Sequence, residues 1–316
     1  MKLSLIIPCY NEEKNVKPLF DEVNSKFNGK IENYEFVFVN DGSSDETLKN
    51  LKAICKDTEI PVKIINFSRN FGKEAAIFAG LNNAEGDYIS LIDADLQQNP
   101  EFVIQMVEIL EKNDEYDCVA AYQEKRHESK INIFFKNSFY KIINRISDTN
   151  FVNGASDFRT FRHCVADAIL SMSEYHRFSK GIFSWVGFNT YYMPYEVSER
   201  LSGTSKWSFW KLCKYAIDGI IAFTTTPLRI STIVGLLTSV LSVIYLFVVI
   251  VQKIAFGIAV PGYATIVVLI LLLGGLQLSA LGIIGEYLAR TYIQTKARPI
   301  YIARDIISNT DEKQTN

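Results

Sequence analysis

Two uninterrupted apolar runs constrain this chain more than anything else in it. Ile230 to Val251 is 22 residues without a charge, and Tyr263 to Gly285 is 23 more. Each exceeds the roughly 18 to 20 apolar residues needed to cross a bilayer core, so the spacing predicts two transmembrane helices over 229–290. Their connecting loop carries one charge, Lys253, whereas Arg229 precedes the first run and Arg290, Lys296 and Arg298 follow the second. That asymmetry places both ends of the pair in the cytoplasm. Gly274, Gly275 and Gly282 would permit close helix packing, between the two spans or between subunits, so a homo-oligomer is expected. The run Leu3–Ile7 stops at Pro8 and turns polar, which is too short for a signal peptide. Residues 1–205 are therefore expected to stay in the cytosol, with 291–316 as a cytosolic tail disordered after Ser308.

The first two-thirds has another character, mixing charge with short apolar segments. A net charge of −2 over 316 residues lacks the basic excess of a nucleic-acid protein, so no nucleic-acid partner is expected. Five cysteines are scattered, with no Cys-x-x-Cys pair, which indicates neither a disulfide framework nor a zinc site. Leu3–Ile7, Tyr34–Val39 and Val62–Phe67 read as buried strands, each delivering a polar loop and then a helix. Val16, Leu19, Phe20, Val23 and Phe27 recur at helical spacing after the first. Ser/Asp capping and an acidic first turn are expected for the helix after the second. Asn99 and Pro100 suit the start of a helix whose apolar face is Phe102, Val103, Met106, Val107 and Leu110. Strand, polar loop, helix, strand is the signature of a parallel sheet.

The fourth strand runs from Tyr88 into Asp93-Ala94-Asp95-Leu96-Gln97. Alternate residues of a strand point the same way, so Asp93 and Asp95 would face a common point, with small Ala94 admitting a ligand to the backbone. Two carboxylates held together repel unless positive charge sits between them. A hard divalent cation that bridges to substrate phosphates, Mg²⁺ or Mn²⁺, would satisfy them. A lone Asp-x-Asp is equally a solvated loop, and it is the neighbouring motifs that favour a site.

Residues 126–146 and 206–228 carry aromatic and aliphatic stripes decorated with lysines, which suits helices lying in a membrane interface. An ordinary packed helix is the alternative reading for the first. The residues Pro8-Cys9-Tyr10-Asn11-Glu12, Asn40-Asp41-Gly42-Ser43-Ser44-Asp45, Arg69-Asn70-Phe71-Gly72-Lys73 and Asp93-Ala94-Asp95-Leu96-Gln97 follow in that order. Together they resemble an inverting glycosyltransferase of the α/β GT-A fold. Gly154–Arg159, Glu199–Trp207 and the two spans narrow the resemblance to the polyprenyl-phosphate glycosyltransferases. These are related to dolichyl-phosphate mannose synthases and typified by the bactoprenol glucosyltransferases. It covers residues 3 to 290.

The resemblance implies that Pro8, Tyr10 and Glu12 line a nucleotide pocket, that Asp41 accepts hydrogen bonds from the base, and that Asp95 binds the metal. Asp93, beside Ala94, would contact metal or ribose, and Gln97 would complete the metal shell. Asn40 departs from the second Asp of many relatives, while Asp41 is kept. Lys73 is a charge partner of loop carboxylates or diphosphate, or a plain helix-start lysine. Arg200 and Lys206, among Gly203 and Ser205, suit a lid closing over the diphosphate. Arg126, Lys136 and Arg159 are candidates for the acceptor phosphate. Asp157 falls where the family places a base or acceptor-orienting carboxylate, with a structural loop Asp as the alternative.

The function implied is transfer of a hexose, glucose by resemblance, from a UDP-sugar to undecaprenyl phosphate at the inner membrane, with a flippase consuming the product. GDP-mannose or UDP-GlcNAc as donor, or a non-catalytic nucleotide-sugar-binding scaffold, are the alternatives. A processive polysaccharide synthase is disfavoured, because no Gln-x-x-Arg-Trp motif occurs.

Overall fold

A computed structural model describes residues 1–123, 155–195, 224–256 and 262–310, with isolated positions 141, 144, 145, 152, 221 and 222 between them. The expected interfacial helix 126–146 lies almost entirely outside the described residues. So does the juxtamembrane segment 206–228 up to residue 220.

The sheet grows outward from β1 (Leu3–Cys9). It pairs in parallel with β2 (Tyr34–Asn40) on one side and β4 (Tyr88–Leu91) on the other, and β3 (Val62–Phe67) continues in parallel beyond β2. Strands β5 (Cys118–Gln123), β6 (Ala155–Arg162), β7 (Thr190–Tyr195) and β8 (Ala303–Ser308) complete the order β7-β5-β6-β4-β1-β2-β3-β8. Only β6 and β8 run against the rest.

Helices cover both faces, which is why β1 to β4 read as continuous apolar runs. The two-residue period of the strands divides the core. Leu3, Leu5, Ile7, Phe36, Phe38 and Ile64 join α1 (Val16–Phe27), α2 (Thr47–Asp57) and α4 (Glu101–Lys112) on one face. Ile6, Val37, Val39, Ile65 and Phe67 pack on the other against α3 (Lys73–Leu81), α5 (His163–Leu170) and α6 (Ser179–Trp185). All five residues of the stripe expected on α1 are buried.

Helix α7 (Thr226–Phe256) and helix α8 (Tyr263–Thr295) are the expected spans. Both are long and apolar enough to cross a membrane. Leu241, Phe247, Leu271 and Leu278 on them are 62% exposed or more, part of an exposed apolar surface of the kind that marks a membrane or protein contact.

Four expectations need correction. Strand β4 ends at Leu91, so Asp93 and Asp95 stand in the turn beyond it and not on strand positions. Helix α2 begins after Glu46 with no acid in its first turn; Asp45 instead accepts the Thr47 N–H at 3.0 Å. A methyl at Gly274, Gly275 or Gly282 would meet nothing within 4 Å among the described residues, so these glycines do not join the two spans to each other. Finally, 291–316 is not simply a tail. Residues 303–308 return as the antiparallel edge strand β8 on β3. Residues 311–316, expected to be disordered, lie outside the described residues.

Candidate active site

The carboxyl ends of β1, β2, β3 and β4 meet along one edge, where open parallel sheets take their ligands. The loops there are braced to one another before any ligand is considered. After β1, Asn11 sits at φ 56° and its N–H donates to Ser43 Oγ at 3.0 Å, while its Oδ1 accepts the Ser44 N–H at 2.9 Å. Glu12 N–H donates to Thr47 Oγ1 at 2.8 Å. After β2, the Asp41 carboxylate accepts the backbone N–H groups of Phe71 at 2.6 Å and Gly72 at 3.0 Å. Burial raises the Asp41 carboxyl above its usual value even against those two bonds and the charge of Arg69. Asp41 thus organises the loop after β3 as well as facing the cavity.

That cavity, of ≈ 310 Å³, is lined by Pro8, Tyr10, Glu12, Asp41, Lys73, Asp93, Ala94 and Asp95, and also by Cys9, Asn70, Gly72 and Ala76. Every residue expected from the first four motifs to hold the donor is therefore in one place. Gln97 is not in the lining; its N–H donates to Asp95 Oδ1 at 3.2 Å. Sequence reasoning also passed over Gln98, which is buried and bonded twice to Asp93.

Lys73 is the cation at the centre, its Nζ 2.6 Å from Asp93 Oδ1 and 3.3 Å from Asp157 Oδ2. Burial works against its charge, but the two carboxylates hold its ammonium well above the ordinary lysine value. Burial also pushes the Asp157 carboxyl up; the charges of Lys73, Lys180 and Arg159 outweigh it and bring it below the usual range. Asp157 Oδ1 is buried without a hydrogen-bond partner among the described residues. Beside Lys73, the Glu74 carboxylate accepts both the N–H and the hydroxyl of Ser179 at the start of α6. No local pattern announces that contact, since its partners lie 105 residues apart.

Two expected residues fall elsewhere. Arg159, a candidate for the acceptor phosphate, is 5% exposed, with its guanidinium 4.0 Å from the centre of the Phe183 ring and Nη2 donating to Ser156 O. Strand β6 carries it into the core, where its charge acts on Asp157. Asn40 is buried below the site, donating to Asn66 Oδ1 at 2.8 Å, while Asn66 donates to Asp305 Oδ1 at 2.6 Å. Arg126, Lys136, Arg200 and Lys206 lie outside the described residues.

The donor set fits a hard divalent cation. Among the described residues, Glu12, Asp93 and Asp95 line one cavity against a single cationic side chain of the lining, Lys73. Burial first, and then the charges of Asp95, Asp45 and Asp93, raise the Glu12 carboxyl, the mark of a pocket with surplus negative charge. Among the described residues no three acidic, histidine or cysteine side chains are grouped to hold an ion alone.

A mostly parallel α/β sheet with an acidic, cation-centred cavity at its carboxyl edge, carried on two membrane-length helices, is the architecture of a GT-A transferase domain joined to a membrane anchor. The chain belongs to Glycosyl transferase family 2, whose profile matches residues 4–170, over half of it. It is 41% identical over 307 residues to an uncharacterized glycosyltransferase, sll0501, of Synechocystis (strain PCC 6803), covering 97% of this chain and 96% of that one. It is 39% identical over 308 residues to the prophage bactoprenol glucosyl transferase homolog of Escherichia coli K12, covering 97% and 99% respectively. Among solved structures, glucosyl-3-phosphoglycerate synthase of Mycobacterium tuberculosis with Mn²⁺ and UDP-glucose is a distant likeness. Its TM-score is 0.44 and its identity 15%, over 68% of this chain and 76% of that one.

Proposed function

We propose that the chain is a metal-dependent, inverting hexosyltransferase that moves glucose from UDP-glucose to a polyprenyl phosphate at the cytosolic face of the inner membrane. The observation that carries it is the convergence of Asp41, Asp93, Asp95, Glu12 and Lys73 on one cavity, in a chain with two membrane-length helices. The names of the bactoprenol relatives support the lipid acceptor and the glucosyl group. Residues 1–205, with β8 added, form the catalytic unit, and 229–290 the anchor.

In this reading the phosphate oxygen of the lipid attacks the anomeric carbon, the bond to UDP breaks, and UDP leaves with the electron pair. Asp95 would be the main protein ligand of Mg²⁺ or Mn²⁺, which supplies Lewis-acid neutralisation at the diphosphate. Tyr10, Glu12 and Asp41 would take the nucleoside. A lipid phosphate is already ionised near neutral pH, and a carboxyl held below its usual value is a weak base, so Asp157 orients the incoming group instead of removing a proton. Its Oδ2 is held by Lys73 at 3.3 Å, on the side of the cavity. Arg126 and Lys136 for the acceptor phosphate, and Arg200 and Lys206 for a closing lid, enter through the resemblance alone. So do self-association through the spans and a flippase as the consumer of the product.

The test is radiolabel transfer by the purified full chain, given undecaprenyl phosphate and a panel of UDP-glucose, UDP-GlcNAc and GDP-mannose. Glucose transfer that Asp95→Asn lowers by more than about 100-fold, and that EDTA abolishes, is expected. Preference for another donor would reassign the sugar, and nucleotide-sugar binding without transfer would make the chain a scaffold.

A further inference from the structure

The geometry points to Gln98 as a positioning residue that presets the Asp93–Gln97 loop before donor and cation arrive. The inference rests on the proposed transfer at this cavity and adds a residue that does not line it. Gln98 is 5% exposed and spends both ends of its carboxamide on one neighbour. Its Oε1 accepts the Asp93 N–H at 2.8 Å, and its Nε2 donates to Asp93 Oδ2 at 3.2 Å. The loop is thereby closed on itself from its first residue to the residue after its last.

Inside that loop Leu96 is held at φ 60°, a left-handed conformation that a branched side chain adopts only when its surroundings impose it. Burial of Leu96, the Gln97 N–H donated across it to Asp95 Oδ1 at 3.2 Å, and the Gln98 clamp act together to impose it. The clamp also divides labour between the two carboxylates. With Oδ2 taken by Gln98 and Oδ1 by Lys73 at 2.6 Å, Asp93 is fixed towards the resident ammonium. Asp95, two residues on and in the cavity lining, accepts the Gln97 N–H at 3.2 Å within the same loop and is the carboxylate that the proposed function gives to the divalent cation. Groups that orient a metal-binding loop without touching the metal are typically worth about 10- to 100-fold in affinity or rate.

The experiment compares the full chain with Gln98→Met, which keeps the length and removes both hydrogen bonds, and with Gln98→Glu, which keeps an acceptor for the Asp93 N–H but sets a carboxylate against Oδ2. Binding of Mn²⁺ alone is read by the loss of its free-ion EPR signal, kcat and KM for the donor by transfer, and folding by the melting temperature. Gln98→Met is expected to bind Mn²⁺ about 10-fold more weakly. In both variants kcat should fall about 10-fold, by more than KM rises, while the folded protein is retained. Mn²⁺ affinity and kcat within about twofold of wild type in either variant that folds would overturn the positioning role. Wild-type protein that binds no Mn²⁺ would overturn the cation reading instead, and Gln98 would then stand or fall on kcat.

Discussion

Lys73 does two jobs that a single substitution separates from the fold. It neutralises Asp93 and Asp157 at once, and among the described residues it is the only cationic side chain in the cavity lining. Lys73→Met should leave two carboxylates facing each other with their shared cation gone, and kcat should fall by about 100-fold or more, read by radiolabel transfer. A contrasting case lies at the opposite edge of the sheet. Lys63 and Lys2 hydrogen-bond the Glu85 carboxylate at 2.7 and 3.0 Å and hold it down to about 2. A depressed carboxylate stabilises the fold above its unfolded value, near pH 4.3, and that contribution is lost as pH falls from there towards 2. Because the side chain is 61% exposed, screening reduces its worth to under about 1 kcal/mol. Glu85→Gln should therefore melt slightly lower at pH 7, match wild type near pH 2, and keep full transfer activity, as thermal melts across pH would show.

At the scale of elements, the site is a set of loops locked together more than a set of strand ends. Gly42 shows how tightly. It sits at φ 62°, and a methyl there would drive into the backbone of Arg69 and Asn70. Gly42→Ala should cost about 2 kcal/mol or more through the left-handed conformation and the collision, and should lower kcat as Asp41 loses its grip on the Phe71 and Gly72 amides. A melting curve and a transfer assay on one preparation check both. The four motifs were legible because each is a short run of polar residues at the exit of an apolar strand. Their meeting in one cavity follows from parallel topology. Gln98, Glu74 and Lys180 were not legible, because their roles depend on loop closure and on helix α6, whose contact with α3 spans 105 residues. Strands β5 to β7 escaped notice for a related reason. An antiparallel strand inserted between β4 and β5 pairs across the chain, and no local pattern announces the order.

At the scale of the molecule, the chain leaves the sheet after β7, passes through α7 and α8, and returns to it. The return is tightly made. Gln294 near the end of α8 accepts the Tyr175 N–H and donates to Ser173 O, both at 2.9 Å. Tyr301 stacks on Phe67 with centroids 5.0 Å apart, and Asn309 Oδ1 accepts the Val62 N–H at 2.9 Å. Strand β8 then covers the edge of β3, and Asp305 ends the buried chain of amides that runs through Asn66 to Asn40 beneath the cavity. Sequence reading stopped at the second span because a six-residue strand after a membrane helix resembles any polar tail, while its partner lies over 200 residues earlier. The end of α8 and the edge of the sheet are thus joined by the same short segment. Asp305→Ala removes the acceptor of the buried Asn66 amide across the β3–β8 pair, a loss of about 1 to 3 kcal/mol. Backbone amides of β3 should then exchange with solvent faster, while those of α1 and α4 on the far side keep their protection. Hydrogen exchange read by mass spectrometry on the full chain in detergent distinguishes this from a uniform loss of stability, which would speed exchange everywhere. Uniform acceleration would mean that β8 is one strand among the eight described, and acceleration confined to β3 and the Asn70–Lys73 loop would mean that β8 braces this edge of the sheet as far as the cavity.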